Sequence, residues 1–240
     1  MEVLVNNAQR LGISIDQRCK HLFQIYYETL LEWNSKINLT AIVDYRSVLI
    51  KHFLDSLSGI IILNERGLVN SNLKMIDIGT GAGFPGIPLK IILPQISLVL
   101  LEATIKKTTF LKYIINKMSL EKVEVIAARS EELAHNLLHR EQYDVVVSRA
   151  VAPMCSLAEL TLPFCRTGGI LFAYKKGNII EEMIAADRAI TVLGGNNPQI
   201  KNIYVEGVLD ERSIVVIEKG QITPLKFPRR SGIPNRKPIH

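Results

Sequence analysis

The chain has 240 residues, 48% apolar and 22% charged, which is enough to bury a sizeable core and argues against a disordered segment. No stretch reaches the length of a membrane span (the run 91–101 is broken by Pro94 and Gln95) and residues 1–10 lack a signal-peptide core, so a cytoplasmic protein without membrane contact is expected. Cys19, Cys155 and Cys165 lie far apart without CxxC spacing, which argues against a zinc site or a disulfide framework, and five cations without an acid in 221–240 supply most of the net +6.

In chain order, residues 1–70 read as helical. Over 17–33, Leu22, Ile25, Tyr26, Thr29, Leu30 and Trp33 recur at helical spacing, and a second helix is expected over 47–63. Asn34, Ser35, Asn38 and Thr40 between them favour caps and turns. After Leu73 the rhythm changes. Strands are expected over 74–78, 97–101, 123–127, 143–148 and 170–174, alternating with helices over 87–93, 106–118, 131–140, 156–164 and 179–193. Two last strands fit 203–208 and 213–218, joined by a hairpin. This predicts a doubly wound α/β fold whose mostly parallel seven-stranded sheet carries an antiparallel strand.

Directly after the first expected strand stands Asp77-Ile-Gly79-Thr-Gly81-Ala-Gly83-Phe84-Pro-Gly86. Two cofactor readings compete for it. Gly81 through Gly86 fits the GxGxxG of dinucleotide-binding folds, whereas Asp77 through Gly83 fits the acid-x-Gly-x-Gly-x-Gly pattern of S-adenosylmethionine enzymes. Gly81 lies beyond the strand end, and an acid at Asp77 repels a pyrophosphate but suits a cationic sulfonium, so the second reading is favoured.

Glu102 ends the second strand, where an acid accepts hydrogen bonds from ribose hydroxyls; its alternative role is a cap for the next helix. Ser130 and Glu131 open the segment after the third strand, where an adenine edge would be met. Arg149 ends the fourth, at the point where cofactor and substrate meet in such sheets. Phe84 is expected to pack on the cofactor or base, or in the core, and Lys176 to face phosphate. His52 and Asp55, at i and i+3, read as a solvated or capping pair. Without an Asp/Asn-Pro-Pro-aromatic motif or an activated cysteine, attack by a ring nitrogen needing no base remains. The basic end suggests a polyanionic partner, with Arg229, Arg230, Arg236 and Lys237 as candidate RNA contacts.

The motifs together resemble the RsmG (glucose-inhibited division protein B) family. They are Trp33-Asn34 with Asn38-Leu39-Thr40, His52-x-x-Asp55-Ser56, the run from Asp77 to Leu89, and Glu102 with Lys106-Lys107. Arg129-Ser130-Glu131-Glu132, Ser148-Arg149-Ala150, Lys176-Gly177 and the basic ending from Pro228 to Pro238 complete the match. The resemblance implies a Rossmann-like class I S-adenosylmethionine methyltransferase domain over 71–220, a helical extension over 1–70 and a basic tail over 221–240. It also implies guanine-N7 methylation of 16S ribosomal RNA, in the free RNA or the small subunit; apart from the resemblance, a monomer is expected. Carried over residue by residue, Gly79, Phe84, Ser130, Glu131 and Arg149 contact the cofactor, and Arg149 also positions the reactants. Two alternatives remain: a nicotinamide-dependent oxidoreductase and a non-catalytic RNA-binding protein.

Overall fold

A computed structural model describes residues 1–204 and 211–239. One sheet contains β1 (Lys74–Ile78), β2 (Ser97–Glu102), β3 (Val123–Ala127), β4 (Tyr143–Arg149), β5 (Cys165–Lys176), β6 (Gly195–Ile203) and β7 (Arg212–Lys219). Their order is β3-β2-β1-β4-β5-β7-β6. The β1–β2, β1–β4, β2–β3 and β4–β5 pairs are parallel, and β7 runs antiparallel between β5 and β6. The expected doubly wound, mostly parallel seven-stranded α/β sheet is therefore present. Because β1 has β2 on one side and β4 on the other, the connections diverge there, leaving a crevice at the carboxyl ends of β1 and β4.

Both faces of the central strands are largely buried, which is why apolar residues crowd them without strict alternation. Alternate residues serve two cores. On one face Met75, Leu100, Val145, Val147, Phe172 and Tyr174 pack with Leu22, Phe23, Tyr26, Leu30, Phe53 and Leu57 from the N-terminal helices. On the other, Ile76, Val146, Leu171, Ala173 and Val215 meet Leu157, Ala158, Ala186 and Ile190.

The N-terminal helices are α1 (Glu2–Arg10), α2 (Gln17–Ile37), α3 (Tyr45–Val48), a π-helical segment (Leu49–Leu54), α4 (Asp55–Leu57) and α5 (Gly59–Glu65). Asp16 caps α2 by accepting from the Cys19 amide at 2.7 Å. The helix runs past its expected end to Asn38, whose left-handed φ of 50° stops it. Even inside the helix, Asn34 accepts from the Thr40 amide at 2.7 Å and shapes the turn. The stretch Tyr45–Glu65 corrects the expectation that nothing reaches span length: it is long and apolar enough, with 72% of its most apolar window buried in the fold, as in a core helix.

The remaining helices are α6 (Gly86–Ile92), α7 (Ile105–Lys117), α8 (Ser130–Leu133), α9 (Met154–Thr161), α10 (Ile180–Val192) and α11 (Ile233–Arg236). Two expectations need correction. The helix expected over 131–140 ends at Leu133, because the Asn136 carboxamide accepts from the Leu138 amide at 2.9 Å and folds the chain into turns. The strand expected over 203–208 is instead β6, which ends at Ile203; 205–210 lie outside the described residues. As a solvent-exposed edge strand with a register shift between Asn196 and Gln199, β6 shows no apolar alternation. The antiparallel pairing itself stands, with Ile203 opposite Arg212.

Candidate cofactor and substrate site

The glycine loop leaves β1 at the crevice. Amides of Gly79 and Thr80 donate to the Leu101 carbonyl of β2 at 2.9 and 3.1 Å, stitching loop to sheet. Asp77 is fully buried, and its Oδ2 accepts from Thr80 Oγ1 at 2.6 Å and from the Gly86 amide at 2.8 Å. The carboxylate thus ties both ends of the loop, while its Oδ1 is buried without a partner. Burial pushes this carboxyl up to about 7. Gly81, at φ +61°, would aim a Cβ into space with no atom within 4 Å, whereas a Cβ on Gly83 would stand 2.6 Å from Tyr26 Oη. The loop therefore has an open side at Gly81 and a closed side against α2, where Tyr26 also donates to the Ala82 carbonyl at 2.6 Å.

Glu102, at the end of β2, is buried and accepts from the Gly81 amide at 3.1 Å and the Thr104 amide at 2.8 Å. The capping alternative is what these contacts display: Glu102 braces the first turn of α7, and each of its oxygens keeps a spare lone pair. Ser130 and Glu131 follow β3 at the same edge, since Ala127 pairs with Glu102. Glu131 is buried, and its Oε1 accepts from the Gly232 amide at 2.8 Å.

Arg149 lies at the end of β4, followed by Ala150 with a left-handed φ of 57°. Backbone strain of this kind, of order 1–3 kcal/mol, collects at functional sites. The Arg149 guanidinium lies 5.0 Å from the centroid of Phe84. Its Nη1 donates to Asp55 Oδ2 at 2.8 Å, and its Nη2 lies 3.3 Å from His52 Nδ1. Phe84 is buried, stacked on His52 at 4.6 Å and on Tyr26 at 5.3 Å, so core packing is what the structure displays for it.

His52 and Asp55 thereby depart from the solvated or capping pair read from the sequence. His52 in the π-helical segment, a geometry common at functional sites, and Asp55 at the start of α4 face inward and fix Arg149. Burial, and then the Arg149 charge, lowers the His52 imidazole to about 3, so the ring is neutral. Arginine only donates, so Nδ1 is the acceptor and Nε2 carries the proton towards Thr40 Oγ1 at 2.8 Å. The i, i+3 spacing on an otherwise apolar helix was the available signal, but no spacing rule connects it to an arginine 97 residues away. Arg212, whose Nε is 3.6 Å from Asp55 Oδ1, had no signal at all.

A cavity of about 380 Å³ opens beside this cluster, lined by Lys51, His52, Asp55, Arg149, Lys176 and Arg212 among others. A cavity of similar size, about 390 Å³, lies at the amino ends of the strands against Lys74, Ser97 and Tyr143, away from every motif. Arg230, Arg236 and Lys237 are exposed, whereas Arg229 is tied to buried Glu159, with Nε and Nη2 at 2.9 and 2.6 Å from its oxygens. The residues from β1 to β4 thus come together at one edge, Lys176 joins the neighbouring cavity, and the four tail cations do not share a single surface role. Burial pushes the Cys155 thiol up, which suits packing rather than nucleophilic attack.

A family model described as GidB, rRNA small subunit methyltransferase G, matches residues 19–215. A relative named "Ribosomal RNA small subunit methyltransferase G" from Dehalococcoides mccartyi (strain CBDB1) is 47% identical over 239 residues, covering 100% of each chain. One of the same name from Alkaliphilus metalliredigens (strain QYMF) is 44% identical, covering 99% of this chain and 98% of its own. Among solved structures, a predicted O-methyltransferase from Agrobacterium tumefaciens superposes with a TM-score of 0.53 at 18% identity, covering 63% of this chain and 76% of that one. That likeness concerns the fold.

Proposed function

The chain belongs to the GidB family, the rRNA small subunit methyltransferases G, and from that premise we propose that it methylates N7 of a guanine in 16S ribosomal RNA with S-adenosylmethionine. Membership displaces the oxidoreductase alternative. The observation that carries the proposal is the convergence of the Gly79–Gly83 loop, Glu102, Ser130–Glu131 and Arg149 on the β1–β4 crevice. The open side of Gly81, the spare lone pairs of Glu102 and the unpartnered Asp77 Oδ1 fit a bound nucleoside with a cationic centre. When bound, S-adenosylmethionine supplies an electrophilic methyl: a C–N7 bond forms as the C–S bond breaks, leaving a neutral thioether and a cationic base.

The protein's own work is positioning. The open side of the loop at Gly81 and the Glu102 carboxylate would hold the cofactor's amino-acid and ribose portions, and the segment around Ser130 and Glu131 would meet the adenine. Arg149, locked by Asp55 and His52, keeps its guanidinium plane fixed beside the cavity that receives the target nucleotide. Lys51, Lys176 and Arg212 give that cavity the positive potential an RNA phosphate needs. Neither His52 nor Asp77 is poised as a base, since both imidazole nitrogens are engaged and the carboxyl is fully buried. N7 presents an in-plane lone pair and requires none. Such an enzyme works in the cytoplasm as a monomer.

The test is transfer of labelled methyl to small-subunit RNA and particles from cells lacking this protein, followed by mapping. A single N7-methylguanine is expected; no incorporation into either substrate overturns the proposal.

A further inference from the structure

The basic ending is built as a strap. The buried Arg140 guanidinium donates to the carbonyls of Thr223, Pro224 and Phe227 at 2.8, 3.2 and 2.9 Å. His135 Nε2 lies 2.8 Å from the Pro228 carbonyl, and Arg229 forks onto Glu159, which is fully buried in α9. Ser156 Oγ then donates to the Pro234 carbonyl at 2.9 Å. Between these anchors Gly232 turns at φ +80° and aims its amide at Glu131 Oε1, 2.8 Å away. Glu131 Oε2 lies 3.5 Å from Ser130 Oγ. A segment with five cations and no acid thus reaches the site through one backbone amide.

We propose that the C-terminal strap sets the adenine side of the cofactor pocket, with Glu131 as a positioning residue held by the Gly232 amide. The inference rests on the cofactor reading above. A buried carboxylate facing an amide is a charge-assisted bond, and its loss leaves Glu131 unsatisfied, so the segment around it relaxes. Arg140 and Glu159 anchor the strap before that contact, and Ser156 anchors it after, at Pro234.

The experiment uses full-length protein and calorimetric titration of adenosylhomocysteine. Gly232→Pro removes the amide hydrogen and cannot adopt the positive φ, while the Arg140 and Glu159 anchors remain. It is expected to weaken binding about tenfold or more, the scale of one charge-assisted bond. Glu131→Ala does the same, and Glu131→Gln, which keeps an acceptor for the amide, restores affinity to within about threefold of the parent. Because both sites act on one contact, Glu131→Ala combined with Gly232→Pro binds no worse than the weaker single variant. Additive losses, unchanged affinity in Gly232→Pro, or equal affinities for Glu131→Ala and Glu131→Gln overturn the inference. A loss confined to RNA binding in Gly232→Pro also overturns it. Should Gly232→Pro fail to fold, the two Glu131 variants decide alone. Failure of the parent protein to bind adenosylhomocysteine refutes the cofactor reading instead, so the two failures are distinguishable.

Discussion

Gly81→Ala separates ligand binding from folding. At φ +61° an alanine is strained, which costs roughly 1–2 kcal/mol. For a chain of this size that lowers the melting temperature by roughly 2–8 °C. Its methyl meets no protein atom within 4 Å, so nothing else in the apoprotein resists it. The space it enters is where the cofactor is proposed to lie, and crowding by one methyl costs typically 1–3 kcal/mol, or about 5–150-fold in affinity. The assay is thermal denaturation with and without adenosylhomocysteine, followed by titration calorimetry. Gly83→Ala is the contrasting control, because its Cβ would stand 2.6 Å from Tyr26 Oη and damages the fold first. A folded Gly81→Ala protein with the parent's dissociation constant refutes the placement of the ligand on this side of the loop.

Four further outcomes are expected. Arg149→Lys keeps the charge but loses the planar fork that reaches Asp55 and His52 while lying on Phe84; methyl transfer in a radiolabel assay falls by about 10–100-fold, from a loss of roughly 1.5–3 kcal/mol in positioning. His52 is lowered from 6.5 to about 3 on folding, so its contribution to stability is complete above pH 6.5 and is lost as pH falls towards 3; in melting curves His52→Asn flattens this acid slope. Asp77 is raised from 3.8 to about 7, so its contribution is present below pH 3.8 and lost as pH rises through 7; Asp77→Asn gains on the parent across that window and no further above it. Arg229→Ala leaves the fully buried Glu159 only the backbone amide of residue 229, 2.7 Å away, and costs about 3 kcal/mol in chemical denaturation, most of it recovered by adding Glu159→Gln.

What the sequence disclosed depended on burial and on distance along the chain. The strands β1 and β4 are legible because parallel strands covered on both faces select apolar residues at successive positions, as in Val145-Val146-Val147. The edge strand β6 is not, because solvent imposes no such selection on its exposed residues. The glycine loop announces itself, since open and crowded positions on one turn both demand glycine. Its partners are another matter: the link from His52 and Asp55 to Arg149 exists only once the N-terminal helices lie over the sheet. The tail cations read as a single charge reservoir, yet Glu159, 70 residues away on α9, singles out Arg229.

Tyr26 belongs to one of the earliest helices but donates to the carbonyl of Ala82, 56 residues later. At a synthesis rate of 5–20 residues per second, α2 waits roughly 3–11 s on the ribosome before that carbonyl exists. Tyr174, which donates to the Ser56 carbonyl 118 residues back, arrives later still. Throughout that interval Phe23, Leu30 and Phe53 have no sheet to cover, so the nascent chain carries an unshielded greasy surface. The contacts that join the N-terminal helices to the sheet can be complete only once Tyr174 has been made. Grafting the sheet onto another helical leader would remove the Tyr26 wall that closes one side of the loop.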